Sequence, residues 1–222
     1  MTYVIANPCG NAAKFDELLR KIRFSESDLL YVIGNVADYG PDPIGLIEDL
    51  SVRPNVYPVA GEHDYLAAQM LSGFERMNAG KTPDPAFVKD MGEWVRDGGL
   101  PTMEGYRALD ADAREGVLDY LSEMVLYEEA KVNGKTYILL YAGVADYEAG
   151  SDLGDYLPDD FFSEPLSKER RLFPNAIAIV GGVPTESGKI ERGEGSIFLD
   201  CGVKDGGSLA ALCLETGEEF YV

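Results

Sequence analysis

The chain has 222 residues, of which 45% are hydrophobic and 10% aromatic, enough for one sizeable core. Its formal net charge of -20 repels phosphate backbones and anionic lipid, so we expect no nucleic-acid partner and no membrane partner. The three cysteines, Cys9, Cys201 and Cys213, have no CxxC spacing, which argues against a disulfide framework or a zinc knuckle. No signal-peptide pattern and no long apolar run is present, which favours a cytoplasmic protein.

The first sixty residues alternate short apolar runs with amphipathic stretches. They predict strands at residues 3–6, 29–33 and 56–60, and helices at 12–23 and 43–50. Asn11 is a suitable N-cap for the first of these helices. Strand, loop and helix repeated in this order are typical of a layered α/β fold.

The middle of the chain, residues 65–121, is predicted to be mostly helical. Phe87, Met91 and Trp94 recur at helical spacing, which indicates core packing, and Asp110 is a suitable cap for the last helix of this segment. Asn133-Gly134 predicts a hairpin between strands at 125–132 and 136–141. Further strands are predicted at 176–180, 196–200 and 208–214, with a final one after Thr216-Gly217, and the acidic stretch 152–160 is predicted to be a solvated loop.

Five loops follow predicted strands and contain glycines and polar residues: 6–11, 34–40, 61–64, 141–143 and 181–185. In layered α/β folds, reactive groups gather in the loops at the carboxyl ends of the strands. We therefore expect these five loops to line one cleft. The first reads Ala6-Asn7-Pro8-Cys9-Gly10, and the second reads Gly34-Asn35-Val36-Ala37-Asp38-Tyr39-Gly40.

These loops, with Gly61-Glu62-His63-Asp64, Tyr141-Ala142-Gly143 and Gly181-Gly182-Val183-Pro184-Thr185, resemble the motifs of the calcineurin-like metallophosphoesterases, in particular the bacterial serine/threonine protein phosphatase branch. The resemblance runs through nearly the whole chain. It implies a four-layer α/β/β/α sandwich, formed by a single domain over residues 1–222 with a helical insertion at about 65–121.

The chain departs from the family at the residues that hold the metal ions. The family's motifs are G-D-x-H-G, G-D-x-x-D-R-G, G-N-H-D, H-A-G and G-H-T-P-T. The six positions that the resemblance assigns to metal ligands are here Asn7, Cys9, Asn35, Glu62, Tyr141 and Gly182. The arginine of the second motif, which grips the substrate phosphate in the family, is here Tyr39. The resemblance therefore implies a degenerate site in this chain.

His63 is the only histidine of the chain, and Asp38 belongs to the second motif. By resemblance, His63 matches the family's general acid and Asp38 the residue that orients it. The pair has two interpretations, a retained proton donor or a structural hydrogen bond, and the second is favoured because no activated nucleophile accompanies it. A nucleophilic pair of Cys9 and His63 is a weaker alternative.

A dinuclear site needs a carboxylate between the ions and imidazoles at their flanks. Asn35 offers only a neutral carbonyl, Tyr141 a protonated phenol, and Gly182 no side chain. We therefore expect no cofactor; the alternative is one Mg, Mn or Ca ion on oxygen ligands. In our hypothesis the cleft holds a metal-free polar network. In it Asn7 and Asn35 donate to Glu62 or Asp38, and the ring of Tyr141 or Tyr39 fills the space beside Gly182.

Two functions follow from this sequence. The favoured one is a pseudophosphatase, a binding or regulatory module whose partner is an unknown protein or a small polar ligand. The alternative is an active phosphoesterase with a remodelled single-metal site and His63 as its general acid.

Overall fold

The computed structural model describes residues 1–222 and contains ten strands in two five-stranded sheets. The strands are β1 Thr2–Ala6, β2 Leu29–Ile33, β3 Val56–Val59, β4 Tyr127–Val132, β5 Lys135–Leu140, β6 Ile177–Pro184, β7 Glu191–Gly193, β8 Ser196–Asp200, β9 Ala210–Cys213 and β10 Glu219–Tyr221. The first sheet has the order β10-β9-β1-β2-β3, and the second has the order β4-β5-β6-β8-β7.

Both sheets are mixed. In the first sheet β1, β2 and β3 are parallel to one another, and β9 is antiparallel to β1. In the second sheet β5, β6 and β8 are parallel, with antiparallel strands at both edges. The carboxyl ends of three parallel strands therefore meet at one edge of each sheet.

Seven helices flank the sheets. They are α1 Ala12–Ile22, α2 Pro43–Ser51, α3 Glu62–Asn78, α4 Pro85–Trp94, α5 Leu100–Ala108, α6 Ala111–Glu123 and α7 Pro158–Phe162. Asn11 caps α1 by accepting a hydrogen bond from the Lys14 N–H, and Asp110 caps α6 in the same way through the Ala113 N–H, so both predicted caps are confirmed. No helix is long and apolar enough to cross a membrane.

Three apolar clusters define the layers. The largest packs helices α1 to α6 against one face of the first sheet, and Phe87, Met91 and Trp94 belong to it or pack against it, as predicted. The second cluster lies between the two sheets. The third covers the outer face of the second sheet with the segment that contains α7. The predicted four-layer α/β/β/α sandwich is confirmed, and its fourth layer is mostly irregular chain.

Several boundaries differ from the prediction. The predicted loop 61–64 belongs to α3 from Glu62 onwards, because the Asp64 carboxylate accepts the Gly61 N–H and fixes the first turn. The predicted loop 152–160 contains a 3₁₀ turn and α7, whose Phe161 is fully buried and anchors it. The predicted loop 181–185 continues β6 to Pro184, with a change of register after Val180.

Candidate functional site

The loops after β1 and β2 are joined by backbone hydrogen bonds at the carboxyl edge of the first sheet. The Cys9 N–H donates to the Asn35 carbonyl at 2.8 Å, and the Gly10 N–H donates to the Val36 carbonyl at 3.0 Å. The Gly34 N–H in turn bonds the last residue of β3. The strands thus place Asn7, Cys9, Asn35 and Asp38 in one buried group.

The backbone of these two loops is strained. Cys9, Asp38 and Tyr39 have φ values of 48°, 68° and 59°, in the left-handed region that residues other than glycine seldom adopt. Each such residue costs on the order of 1–3 kcal/mol and persists only where its surroundings fix it, often at functional sites. Gly10 is required here, because a Cβ on it would lie 2.8 Å from the Asp38 carbonyl oxygen.

Asp38 is fully buried and accepts hydrogen bonds from three side chains. Its Oδ2 accepts from Trp94 Nε1 and His63 Nδ1, both at 2.7 Å, and its Oδ1 accepts from the Thr102 hydroxyl at 2.6 Å. The Asp38 N–H also donates to the Thr102 oxygen. Trp94 and Thr102 come from α4 and α5, so the middle of the chain contributes directly to the site.

Both nitrogens of the His63 ring have partners. A carboxylate only accepts, so Nδ1 donates to Asp38, and Nε2 is hydrogen-bonded to the Tyr39 hydroxyl. Burial raises the pKa of Tyr39 well above its usual range, which keeps this phenol a donor. The imidazole is therefore held between a carboxylate and a phenol, with 8% of its side chain exposed.

Tyr39 lies at the mouth of the site. The Lys204 ammonium lies 3.9 Å from the centre of the Tyr39 ring, within the range of a cation–π contact. On its other side the ring packs against Gly98, where a Cβ would lie 2.4 Å away. The exposed Asp97 carboxylate is 3.9 Å from His63 Nε2. Tyr39, which the resemblance assigns to the position of the family's phosphate-binding arginine, thus places an aromatic ring over His63.

Tyr141 lies in the centre of the site and is 8% exposed. Its hydroxyl accepts a hydrogen bond from Asn35 Nδ2 at 2.8 Å. A Cβ on Gly182 or on Gly34 would lie 2.4 Å from the Tyr141 ring, so both glycines are required by the ring. Burial raises the pKa of Tyr141 and keeps the phenol neutral.

Asn7 and Cys9 lie deeper in the first loop. Asn7 Nδ2 donates to Asp200 Oδ2 at 2.9 Å, and the buried Oδ1 of Asn7 has no hydrogen-bond partner. Burial raises the pKa of the Asp200 carboxyl above its usual range, although the Gly202 N–H and the Asn7 amide act against this. Burial also raises the pKa of the Cys9 thiol, which disfavours a thiolate nucleophile at this position.

The hydrogen-bond partners that we predicted for the two asparagines are wrong. Asn7 binds Asp200 and Asn35 binds Tyr141, whereas the prediction paired them with Glu62 or Asp38. Glu62 is exposed on the first turn of α3 and makes no hydrogen bond to either amide. The Asn35 Oδ1 accepts the His63 N–H at 3.1 Å, which fixes the start of that helix.

The residues present do not fit a dinuclear metal centre. No group of three or more histidine, cysteine, aspartate and glutamate side chains is arranged to hold a metal ion. At the position that the resemblance assigns to a bridging carboxylate, the Asn35 amide turns its N–H towards Tyr141 and its oxygen towards a backbone N–H. The volume beside Gly182 is filled by an aromatic ring.

Three contributors to the site were missed from the sequence: Thr102, Asp200 and the indole N–H of Trp94. Asp200 is the last residue of the parallel strand β8. Because reactive groups gather at the carboxyl ends of such strands, the sequence could have indicated Asp200 as a site residue. No local pattern marks Thr102, because its role depends on how α5 packs against the second loop.

A family model described as calcineurin-like phosphoesterase matches residues 3–182. The chain belongs to this family. No curated protein sequence matches it.

Solved structures agree with the fold. A protein described as a candidate diadenosine tetraphosphatase has a TM-score of 0.70 and 17% identity, and the match covers 100% of this chain and 92% of that one. A metallophosphoesterase from Sphaerobacter thermophilus has a TM-score of 0.54 and 16% identity over 95% of this chain and 82% of its own. A cold-active protein-tyrosine phosphatase from a psychrophilic Shewanella has a TM-score of 0.53 and 12% identity, and the match covers 99% of this chain and 79% of that one. Identities this low support the common fold alone.

Proposed function

We propose that this metallophosphoesterase-family chain is a pseudophosphatase that acts by binding a partner and does not hydrolyse phosphate esters. The observation that carries the proposal is the position of Tyr141. Its ring packs against Gly34 and Gly182, and its hydroxyl is bonded to Asn35. This supports a cleft in which a neutral side chain takes the space that the family's metal ions would need.

The remaining donors support the same conclusion. Asn7 and Asn35 are neutral, each uses its amide N–H towards an oxygen within the protein, and Glu62 faces outward. Two-metal hydrolysis needs charged ligands that neutralise and space the ions. In this proposal, Asn7 and Asn35 stand where the family motifs have aspartates. The amides take two negative charges out of a buried cleft, where unpaired charge is costly.

In this proposal, His63 and Asp38 have a structural role. The pair ties the second loop to α3 and to the helices that carry Trp94 and Thr102. The face presented to a partner is the mouth of the cleft, where Tyr39, Lys204 and Asp97 lie. The partner is a protein or a small polar ligand.

The second candidate function is a hydrolase that uses one Mg, Mn or Ca ion. It is favoured by one observation, the intact hydrogen bond of 2.7 Å between His63 Nδ1 and Asp38. A general acid must release its proton to a leaving group, and Nε2 is the nitrogen that would do so. In this chain Nε2 is covered by the Tyr39 hydroxyl.

The deciding experiment combines elemental analysis of the purified protein with a p-nitrophenyl phosphate assay in added Mn²⁺. We expect no stoichiometric metal and no turnover above that of a His63→Ala control. Stoichiometric metal together with turnover that His63→Ala abolishes would establish the hydrolase.

A gain-of-function variant tests the placement of the loops. Its substitutions return the family residues at five positions: Asn7→Asp, Cys9→His, Asn35→Asp, Tyr141→His and Gly182→His. We expect this variant to bind Mn²⁺ in calorimetry while the parent chain does not. A correctly folded variant that still fails to bind Mn²⁺ would contradict the assignment of these positions.

A further inference from the structure

A second cavity lies at the opposite end of the sheets from the candidate site. Its volume is about 440 Å³, and it is lined by the starts of β5, β6 and β8 and by the turn that follows β9. We call it the basal cavity. Because β5, β6 and β8 are parallel and run from the basal cavity towards the candidate site, the length of the strands, roughly 3.3 Å per residue, separates the two.

The basal cavity has a local excess of positive charge. Lys135, Arg171 and Arg192 line it, and Glu215 is the one acidic residue among the lining side chains. The chain has a net charge of -20, so three cations around one cavity have a sign opposite to that of the molecule as a whole. Lys135 and Arg171 make no ion pair within the protein, whereas Arg192 binds Glu219 at 2.7 Å and keeps further N–H donors.

Glu215 forms no ion pair with Lys135 or Arg171, because its carboxylate is bonded to Thr2. Its carboxylate accepts from the Thr2 N–H at 2.8 Å and from the Thr2 hydroxyl at 2.9 Å. Burial acts to raise the pKa of Glu215, but these hydrogen bonds outweigh it and hold the pKa below its usual range. The carboxylate is therefore used to fix the start of β1.

Two of the polar residues that line the basal cavity have specific surroundings. The Arg171 guanidinium lies against Gly195, where φ is 71° and a Cβ would lie 2.7 Å from Arg171 Cζ. The next residue, Ser196, lines the cavity, is only 3% exposed, and has a buried hydroxyl oxygen without a hydrogen-bond partner. An unpaired buried hydroxyl is costly in a folded protein and indicates a missing partner.

Part of the remaining lining is apolar. Tyr137, Ile177, Ile197, Leu212 and Leu214 form the walls between the two sheets. Cavities that bind small molecules have volumes of about 300–1,000 Å³, are mostly apolar, and carry a few convergent polar groups. The basal cavity has a volume in this range and convergent polar groups, with an apolar portion formed by six of its fifteen lining residues.

We propose that the basal cavity binds a phosphate monoester of a small organic molecule. Arg171, Arg192 and Lys135 face the phosphate, which carries a charge of about -1.5 to -2 near neutral pH. Guanidinium groups match phosphate oxygens geometrically. The organic part packs on the apolar walls. This ligand site is distinct from the degenerate cleft and does not depend on its function.

The test is calorimetry with phenyl phosphate in the presence of EDTA, so that no metal-dependent reaction takes part. We expect saturable binding by the native chain and at least a tenfold weaker Kd for Arg171→Gln. Arg171 is exposed and makes no hydrogen bond or ion pair, so the substitution leaves folding intact. Phenol should not bind, and inorganic phosphate should bind at least tenfold more weakly than phenyl phosphate.

Arg170→Gln is the matched control. Arg170 is the sequence neighbour, is similarly exposed, and forms an ion pair with Glu164 at 2.8 Å away from the cavity. Its variant should bind phenyl phosphate with unchanged Kd. Equal weakening in both variants would show a general charge effect and overturn the proposal, as would the absence of saturable binding by the native chain.

Amide chemical shifts give the location of the ligand. Phenyl phosphate should perturb the amides of Gly193, Gly195, Ser196 and Thr216, which line the basal cavity. Perturbation confined to Asn35 and His63 would place the ligand in the degenerate cleft instead and would also overturn the proposal.

Discussion

The single histidine of this chain is held in place by a single buried aspartate. Asp38 accepts from Trp94, His63 and Thr102, and it is the only group that bonds both α4 and α5 to the second loop through its side chain. Hydrogen bonds to a charged group each contribute about 1.5–3 kcal/mol, and leaving buried donors unpaired is costly. The stability of this region therefore depends on Asp38 whatever the site does chemically.

We predict that Asp38→Asn lowers the free energy of unfolding by about 3 kcal/mol, because an amide replaces one acceptor oxygen by a donor. Urea denaturation followed by fluorescence measures this directly, since Trp94 is the only tryptophan and its indole bonds Asp38. The control is Asp97→Asn. Asp97 is 76% exposed, and its substitution should change stability by less than about 0.5 kcal/mol. Equal midpoints for the two variants would contradict the prediction.

The positions of the cleft side chains could be predicted from the sequence, but their hydrogen-bond partners could not. The resemblance pointed to Asn7, Asn35 and Tyr141 as changed positions, and all three lie in the cleft. Their hydrogen-bond partners could not be predicted, because an amide bonds whichever oxygen the packing brings within about 3 Å. For Asn7 that oxygen belongs to Asp200, which is 193 residues away in the sequence.

At the scale of elements, the clearest predictions were those with a local physical cause. Asn133-Gly134 joins β4 and β5 with φ values of 50° and 73°, the conformation that this dipeptide favours. The missed elements, β7 and α7, contain three and five residues and are fixed by their neighbours. Elements this short carry too little periodicity to be read from sequence.

Strand β6 contributes directly to the packing around Tyr141. It continues past Val180 through Gly181 and Gly182, and both glycines donate their N–H to the Tyr141 carbonyl. The ring of Tyr141 then covers Gly182. The Tyr141 ring occupies the space that a side chain at Gly182 would need. We therefore expect the effects of substitutions at these two positions on the free energy of unfolding to be coupled.

We predict that Gly182→Ala destabilises the protein by about 1–3 kcal/mol, since its Cβ would overlap the Tyr141 ring. In a Tyr141→Ala background the same substitution should be nearly neutral. A double-mutant cycle in urea measures this coupling. Gly116→Ala in α6 is the control with the opposite sign, because Gly116 has open space around it and alanine stabilises a helix by about 1 kcal/mol. Additive effects of Gly182→Ala and Tyr141→Ala would contradict the interpretation.

For the molecule as a whole, the order of elements along the chain predicts part of the sheet arrangement. The alternation of strands and helices in the first sixty residues predicts the parallel part of the first sheet, which the structure contains. The split of ten strands into two sheets is set by long-range pairing, such as β9 between β1 and β10, and has no local signal. The acidic surface has a physical consequence of its own.

A net charge of -20 lowers the stability of the compact state through repulsion between surface carboxylates. Raising NaCl from about 10 mM to about 150 mM shortens the screening length from about 30 Å to about 8 Å. We predict that this raises Tm by about 3 °C, which corresponds to roughly 1 kcal/mol for a domain of this size. Thermal unfolding followed by circular dichroism measures the shift.

A charge-reduced variant separates repulsion from other salt effects. Glu26, Glu104 and Glu194 are exposed and make no side-chain hydrogen bond or ion pair, so Glu→Gln at all three changes the net charge from -20 to -17 without loss of contacts. The salt-induced rise in Tm should be smaller for this variant, because fewer carboxylates repel one another. Adding about 100 μM MnCl₂ at 150 mM NaCl should give no further rise in either protein, whereas a specific site with a Kd of about 1 μM would add about 2.7 kcal/mol. A salt effect of the same size in both proteins would show that surface repulsion is not its source.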